Sequence, residues 1–211
     1  MIASTLPAHS GVEILSDRRA WAGRFSSLDL ITFRQTRFDG TPSEARTWEL
    51  FRRGRAAAVL PYDPWTDSVV LIEQFRLPAL AGGVDPIMVE IPAGLCDSGE
   101  DPADTVRREA HEEMGLSCDN LEPVGDFILS PGGSDERCAI FAGRVRAPAV
   151  GADGLAGRFG LASEDEDIRV RVWPADRAIA EAVAGGFPNS VTTIALLWLA
   201  ARRDSLRAAW C

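Results

Sequence analysis

"GLCDSGEDPADTVRREAHEEMGL", Gly94 to Leu116, decides how this chain is read. It holds seven acidic residues, and Glu109, Glu112 and Glu113 crowd into five positions. Asp101 followed by Pro102 starts a helix: Asp101 as N-cap, Pro102 in the first turn, Asp104 placed for a capping-box arrangement, and Gly115 as the C-terminal stop. At 3.6 residues per turn, Ala103, Val106, Ala110 and Met114 form one apolar stripe. Glu109 and Glu113 fall beside that stripe, at the edge of the buried face, and Glu112 lies further round. Like charges one turn apart repel by a few tenths of a kcal/mol per pair on an exposed helix. A solvated acidic face with an Arg108–Glu112 ion pair would tolerate this. A carboxylate trio at i, i+3, i+4 does more, because it can converge on a hard divalent cation that takes oxygen ligands and relieves the repulsion. "HEEMG" is not the zinc motif HExxH, since the second histidine is absent.

Outward from this helix, the chain has the composition of a globular protein. Its 211 residues are 46% hydrophobic and 25% charged, with a net charge of -9. No Lys/Arg cluster is long enough to track a phosphate backbone, which argues against nucleic acid as a partner. Cys96, Cys118, Cys138 and Cys211 make no CxxC pair, and His9 and His111 are the only histidines, so a structural zinc site is not expected. "MIASTLPAHSG" has neither the basic region nor the apolar core of a signal peptide, and the longest apolar run, Val191 to Ala201, is too short to span a bilayer. The expected location is cytoplasmic.

From Trp21 to Phe51 the pattern is strand-like, with an Asp-Gly turn in "RFDGT". This small antiparallel sheet has too few apolar residues for an independent core and is expected to pack on something else, such as a second subunit. From Ala56 the chain becomes more hydrophobic. "AAAVLPYD" and "SVVLIEQFRLP" flank a "PWTD" turn, "PIMVEIPAG" is one further strand, and the acidic helix follows. Strands are expected at "VGDFIL", "CAIFAGRV" and "DIRVRVWP". A Gly/Ala-rich loop is expected from Val150 to Ser163, and two helices close the chain: "PADRAIAEAVAGG", then Ser190 to about Ala209. Strands and helices mix without strict alternation, which predicts an α/β domain with a mixed sheet. The boundaries are residues 1–55 for the N-terminal sheet and 56–211 for the main domain.

The acidic stretch resembles the box of Nudix hydrolases: Gly94, Glu100, Arg108, Glu109, an apolar position filled by Ala110, Glu112, Glu113, Gly115 and Leu116. Seven fixed identities would match by chance at one start with odds on the order of 10⁻⁹ to 10⁻⁸, so the solvated-face reading gives way. The resemblance implies a mixed sheet sandwiched between helices, and hydrolysis of a nucleoside diphosphate linked to another group with Mg²⁺ or Mn²⁺. Glu109 and Glu113 become the main metal ligands, Glu112 shares a cation, and the Ala93 carbonyl is a further ligand. Gly94, Glu100, Arg108 and Gly115 shape and orient the site.

Two further stretches resemble the ADP-ribose pyrophosphatases within that family. "LSPGGSDE", Leu129 to Glu136, places Gly132 and Glu136 at substrate. "GLASEDEDIRV", Gly160 to Val170, resembles the loop that supplies a general base, with Glu164 first and Glu166 second. Arg76 matches an arginine near the diphosphate. Phe25 is placed against the adenine from the other subunit of a domain-swapped homodimer, and Trp48 stands where a relative has an arginine. The implied reaction is ADP-ribose plus water to AMP and ribose 5-phosphate. The alternatives are another nucleoside diphosphate sugar such as GDP-mannose and, third, a non-catalytic ADP-ribose sensor. The sensor reading is disfavoured by the intact box carboxylates.

Overall fold

The computed structural model describes residues 5–161 and 166–211. The chain divides into two compact units, one of residues up to Gly54 with Ile128–Arg137, the other Arg55–Phe127 with Cys138–Cys211.

The first unit is an antiparallel sheet of β1 (Val12–Ala22), β2 (Ser27–Gln35) and β3 (Arg46–Arg52), in that order. The Asp39–Gly40 turn falls where the sequence predicts it. Arg37 N–H donates to Thr41 O at 2.7 Å, and the Asp39 carboxylate accepts from Thr41 N–H at 2.9 Å. The sequence gives no warning of β1. Register irregularities between Ile14 and Ser16 and between Arg19 and Trp21 break its period-two pattern, and as an edge strand it has no buried face to impose alternation. Asp29, 1% exposed, is held by Arg19 and Arg52. The 128–137 loop belongs to this unit through backbone bonds: Phe51 N–H donates to Gly133 O at 2.8 Å and Asp135 N–H to Phe51 O at 3.1 Å.

The second unit is built on β4 (Arg55–Asp63), β5 (Ser68–Phe75), β6 (Ile87–Glu90), β7 (Ala93–Leu95), β8 (Asp119–Ile128), β9 (Arg137–Arg144), β10 (Leu155–Phe159) and β11 (Ile168–Pro174). Its helices are α1 (Leu77–Ala81), α2 (Pro102–Met114), α3 (Ala175–Val183) and α4 (Ser190–Trp210). The sheet order is β10-β11-β5-β4-β9-β8, with β6 on β5 and β7 on β4. "PIMVEIPAG" therefore forms two short strands rather than one. The chain changes partner at Ile91–Pro92, where Pro92 O still accepts from Val59 N–H at 3.0 Å. Part of the Gly/Ala-rich segment expected as loop is β10, paired with β11. Its glycines hide the alternation.

Strand alternation in "SVVLIEQF" explains the layers. Val70 and Ile72 join Val106, Ala110 and Met114 of α2 in one buried cluster with Ala57, Val59, Ile168 and Val170. Val69 and Leu71 are equally buried and face the other way. On the far side, α4 contacts β4 and α3 contacts β5 and β11, with Ala195, Leu196 and Leu199 fully buried. Each buried Leu contributes about 1.5–3 kcal/mol. The result is the expected mixed α/β architecture, with helices on both faces of the sheet. Among the described residues, no helix is long and apolar enough to cross a membrane.

Candidate active site

Helix α2 carries the site, and its ends are fixed locally. The Asp101 carboxylate accepts from Ala103 N–H at 2.8 Å. Asp104 pairs with Arg107 at 3.2 Å instead of completing the capping box. Gly115, at φ 66°, ends the helix; its N–H donates to His111 O and the Leu116 N–H to Ala110 O, the double closure that a left-handed glycine allows. The apolar stripe is Val106, Ala110 and Met114 with Thr105, and Ala103 is only half-buried. Ala110, small for an apolar box position, is fully buried against the sheet.

This burial carries Glu113 into the protein. Its side of the helix faces β7, and its carboxylate accepts from Ala93 N–H at 3.2 Å. Glu113 is 3% exposed. Burial pushes its pKa up to about 9, and the charges of Glu109 and Glu166 push the same way, against Arg76. Glu109 is also raised, first by burial, with Arg108 opposing and Glu112 and Glu166 adding. Its carboxylate lies so close to Gly94 that a Cβ there would sit 1.7 Å from Oε1. A side chain at this position would push the Glu109 carboxylate aside, so a bare glycine is what leaves that carboxylate in place.

Arg108 is the hub. Its guanidinium donates to Glu109 at 2.7 Å, Glu112 at 3.1 Å, Leu95 O at 3.3 Å and both Glu100 oxygens at 3.4 Å. Burial works against its charge, but Glu100, Glu109 and Glu112 more than compensate and hold its pKa above the ordinary value. Glu100 in turn accepts from Asp97 N–H at 2.9 Å, so the loop before α2 is tied to the helix through one arginine.

Arg76 donates to Glu90 at 2.8 Å, and Glu90 accepts from Asn189 at 2.5 Å. Arg76 is thus an oriented cation beside the acidic group. Glu166 is held by Leu161 N–H at 3.2 Å and Gln74 Nε2 at 3.4 Å. Sequence reasoning did not single out Gln74 or Glu90. One signal was available for Gln74: it continues the inward series Val70, Ile72 with a polar side chain. Glu164 lies outside the described residues.

The donor set fits a hard divalent cation: oxygen only, with Glu109, Glu113 and Glu166 acting on one another and a buried carboxylate whose ionisation is disfavoured until positive charge arrives. Among the described residues no three acidic or His/Cys side chains are already closed into a ligand group. Like charges hold apart, and Arg108 takes up Glu109 and Glu112.

The remaining expected residues lie in the first unit. Trp48 and Gly132 line one apolar groove of about 230 Å³ with Ile31, Phe33, Leu50 and Pro131. Trp48 packs edge-on against Phe33 at 5.3 Å, with Arg46 over both rings. Phe25 is 59% exposed, covered in part by Arg24 at 4.8 Å, and does not line that groove. Glu136 pairs with Arg53 at 3.7 Å.

Comparison with known proteins follows the same lines. A family model described as NUDIX domain matches residues 52–187. The chain is 41% identical over 199 residues to an ADP-ribose pyrophosphatase of Escherichia coli (strain K12), covering 94% of this chain and 92% of that one. It is 36% identical to the ADP-ribose pyrophosphatase of Haemophilus influenzae, with 94% and 90% covered. It is 32% identical to a GDP-mannose pyrophosphatase of Salmonella arizonae, with 89% and 91% covered. A crystal structure of an ADP compounds hydrolase, 17% identical, superposes with a TM-score of 0.68 over 97% of this chain and 98% of that chain.

Proposed function

Because the chain belongs to the Nudix hydrolase family, we propose that it hydrolyses the diphosphate of ADP-ribose, giving AMP and ribose 5-phosphate. One observation carries the chemistry: the box helix sets the buried Glu113 carboxylate against Glu109 and Glu166. The choice of substrate is supported by the 41% likeness to an enzyme of that name over nearly the whole chain.

Divalent cations, Mg²⁺ or Mn²⁺ by charge and ligand type, supply charge neutralisation on the diphosphate and make water more acidic when bound. Glu109, Glu113 and Glu166 would hold them, with Glu112 and the Ala93 carbonyl beside them. Arg108 keeps Glu109 and Glu112 pointed to one side of α2. Arg76, fixed by Glu90, adds a positive charge for the diphosphate oxygens. The proton of the attacking water goes to Glu164, assigned by its place in the acidic segment.

The protein acts as a homodimer in which Phe25 and Trp48 offer flat surfaces to the adenine of the partner's site. This is supported by the exposure of these rings, 59% and 50%, on a sheet with little core of its own. Light scattering after size exclusion should give about twice the 22.8 kDa chain mass. A monomer with full activity removes the shared site.

A second reading, a GDP-mannose pyrophosphatase, is favoured by relatives of that name at 32–34% identity. Incubation with Mg²⁺ and a panel of nucleoside diphosphate sugars, with products separated by chromatography, decides between them. AMP and ribose 5-phosphate formed fastest from ADP-ribose support the first reading, and a higher kcat/KM for GDP-mannose replaces it.

A further inference from the structure

The strand "VVLIEQF" continues its buried side with Gln74. Val70 and Ile72 pack into the cluster that includes α2, and Gln74, two residues on, is still only 8% exposed. A buried amide is costly unless its groups are paired. Its Nε2 lies 3.4 Å from Glu166 Oε1, while its Oε1 is buried without a partner among the described residues. The reverse amide orientation would set oxygen against carboxylate, so the nitrogen belongs toward Glu166. Gln74 itself has little freedom, since it sits in β5, paired with Met88 of β6.

Glu166 has the opposite problem. It stands on the segment entering β11, and it faces like charge from Glu109 and Glu113. Nothing in that repulsion keeps it in place. Two donors do: Leu161 N–H from its own segment, and Gln74 from the sheet. Of the two, Gln74 comes from a different strand, 92 positions away in sequence. The 3.4 Å separation is at the long end of the range, as is common before a ligand tightens a site.

We propose that Gln74 is a positioning residue: its amide nitrogen anchors the Glu166 carboxylate to the sheet, so that Glu166 meets the cation shared with Glu109 and Glu113 instead of swinging away from them. The inference rests on the reading of these carboxylates as a divalent-cation site. Groups that orient a ligand in this way typically matter ten- to a hundredfold in metal affinity.

The test is a double-mutant cycle read on Mn²⁺ alone. Free Mn²⁺ is measured by electron paramagnetic resonance in substrate-free protein for the parent, Gln74→Leu, Glu166→Gln and the double variant. The expected result is Mn²⁺ binding weakened ~10–100-fold by Gln74→Leu, with the double variant no weaker than Glu166→Gln. Gln74 then acts through Glu166 and nowhere else. Metal-free melting temperatures identify any variant that has lost its fold, and Gln74→Met, unbranched and of similar length, replaces Leu in that case. Parental Mn²⁺ affinity in the folded Gln74 variant, or additive losses in the cycle, overturns the proposal. A parent that binds no Mn²⁺ overturns the cation-site reading itself, whatever sugar nucleotides it hydrolyses.

Discussion

The two units of this chain solve the problem of apolar surface in opposite ways. In the second, β5 buries Val69, Val70, Leu71 and Ile72 completely, and helices cover both faces. In the first, Ile31 is the only buried hydrophobic residue among those described, while Trp21, Phe25 and Trp48 are each half exposed or more. One unit spends its large apolar side chains on its own core. The other leaves them exposed among the described residues, open to a ligand or a second chain. The second unit breaks its own core rule at the candidate site, where a carboxylate, Glu113, occupies a buried position on α2; Asp63 and Glu90 are its other buried acidic side chains among the described residues.

The largest expected effect tests that broken rule. Glu113→Gln should nearly abolish turnover, a loss beyond the ~10–100-fold cost of removing a group that only supports a metal ligand. The metal-free protein should respond in the opposite sense. With the Glu113 pKa raised from the ordinary 4.5 to about 9, the unfolded chain releases this proton first. Its contribution is fully favourable below pH 4.5 and is lost as pH rises toward 9. Calorimetry without metal should therefore show the variant melting above the parent at pH 8 and the two converging near pH 4. Near-parental turnover at saturating Mg²⁺ sinks the assignment.

Next comes the base. Glu164→Gln should reduce single-turnover rates by ~10²–10⁴-fold with little change in substrate affinity, and Glu166→Gln, which loses a cation ligand and so weakens metal binding, should be milder when both are compared at saturating Mg²⁺. The reverse ranking would move the base to Glu166.

The contrast between the units is sharpened by a pair of truncations. Leu196→Ala, in the α4 core, should cost about 2–5 kcal/mol, read as a fall in melting temperature of roughly 4–20 °C. Phe25→Ala should leave melting within about 2 °C of the parent yet raise KM for ADP-ribose ~5–100-fold, the worth of a base stacked on an aromatic ring. If Phe25→Ala melts like Leu196→Ala, the exposed rings are packing after all. The smallest effect belongs to Asp101→Ala, which removes the α2 cap and should cost about 1 kcal/mol by denaturant titration.

How far the sequence could be read follows the same division. The Asp101 cap and the Gly115 stop were legible because helix ends are written in adjacent residues. The break of "PIMVEIPAG" at Pro92 was not, since it depends on which strand each half pairs with. β1 was missed because an exposed edge strand needs no apolar alternation. In the site, Glu109 and Glu113 were legible from i, i+4 spacing. Glu90, which fixes Arg76, and Gln74, which holds Glu166, were not, since their partners come from distant strands and loops.

By itself the sequence determined that one helix carries the box carboxylates, where that helix begins and ends, and that the surrounding strands mix with helices. These depend on residues within a turn or two of one another, where backbone geometry leaves few choices. Only the tertiary structure decided that Glu113 is buried against Ala93, that Gly94 must stay bare for Glu109, and that Glu166 is brought to the same place from 53 residues beyond Glu113. Those arrangements depend on which strands pair and how closely they approach, and a carboxylate's chemistry is set by what surrounds it, not by its place in the chain.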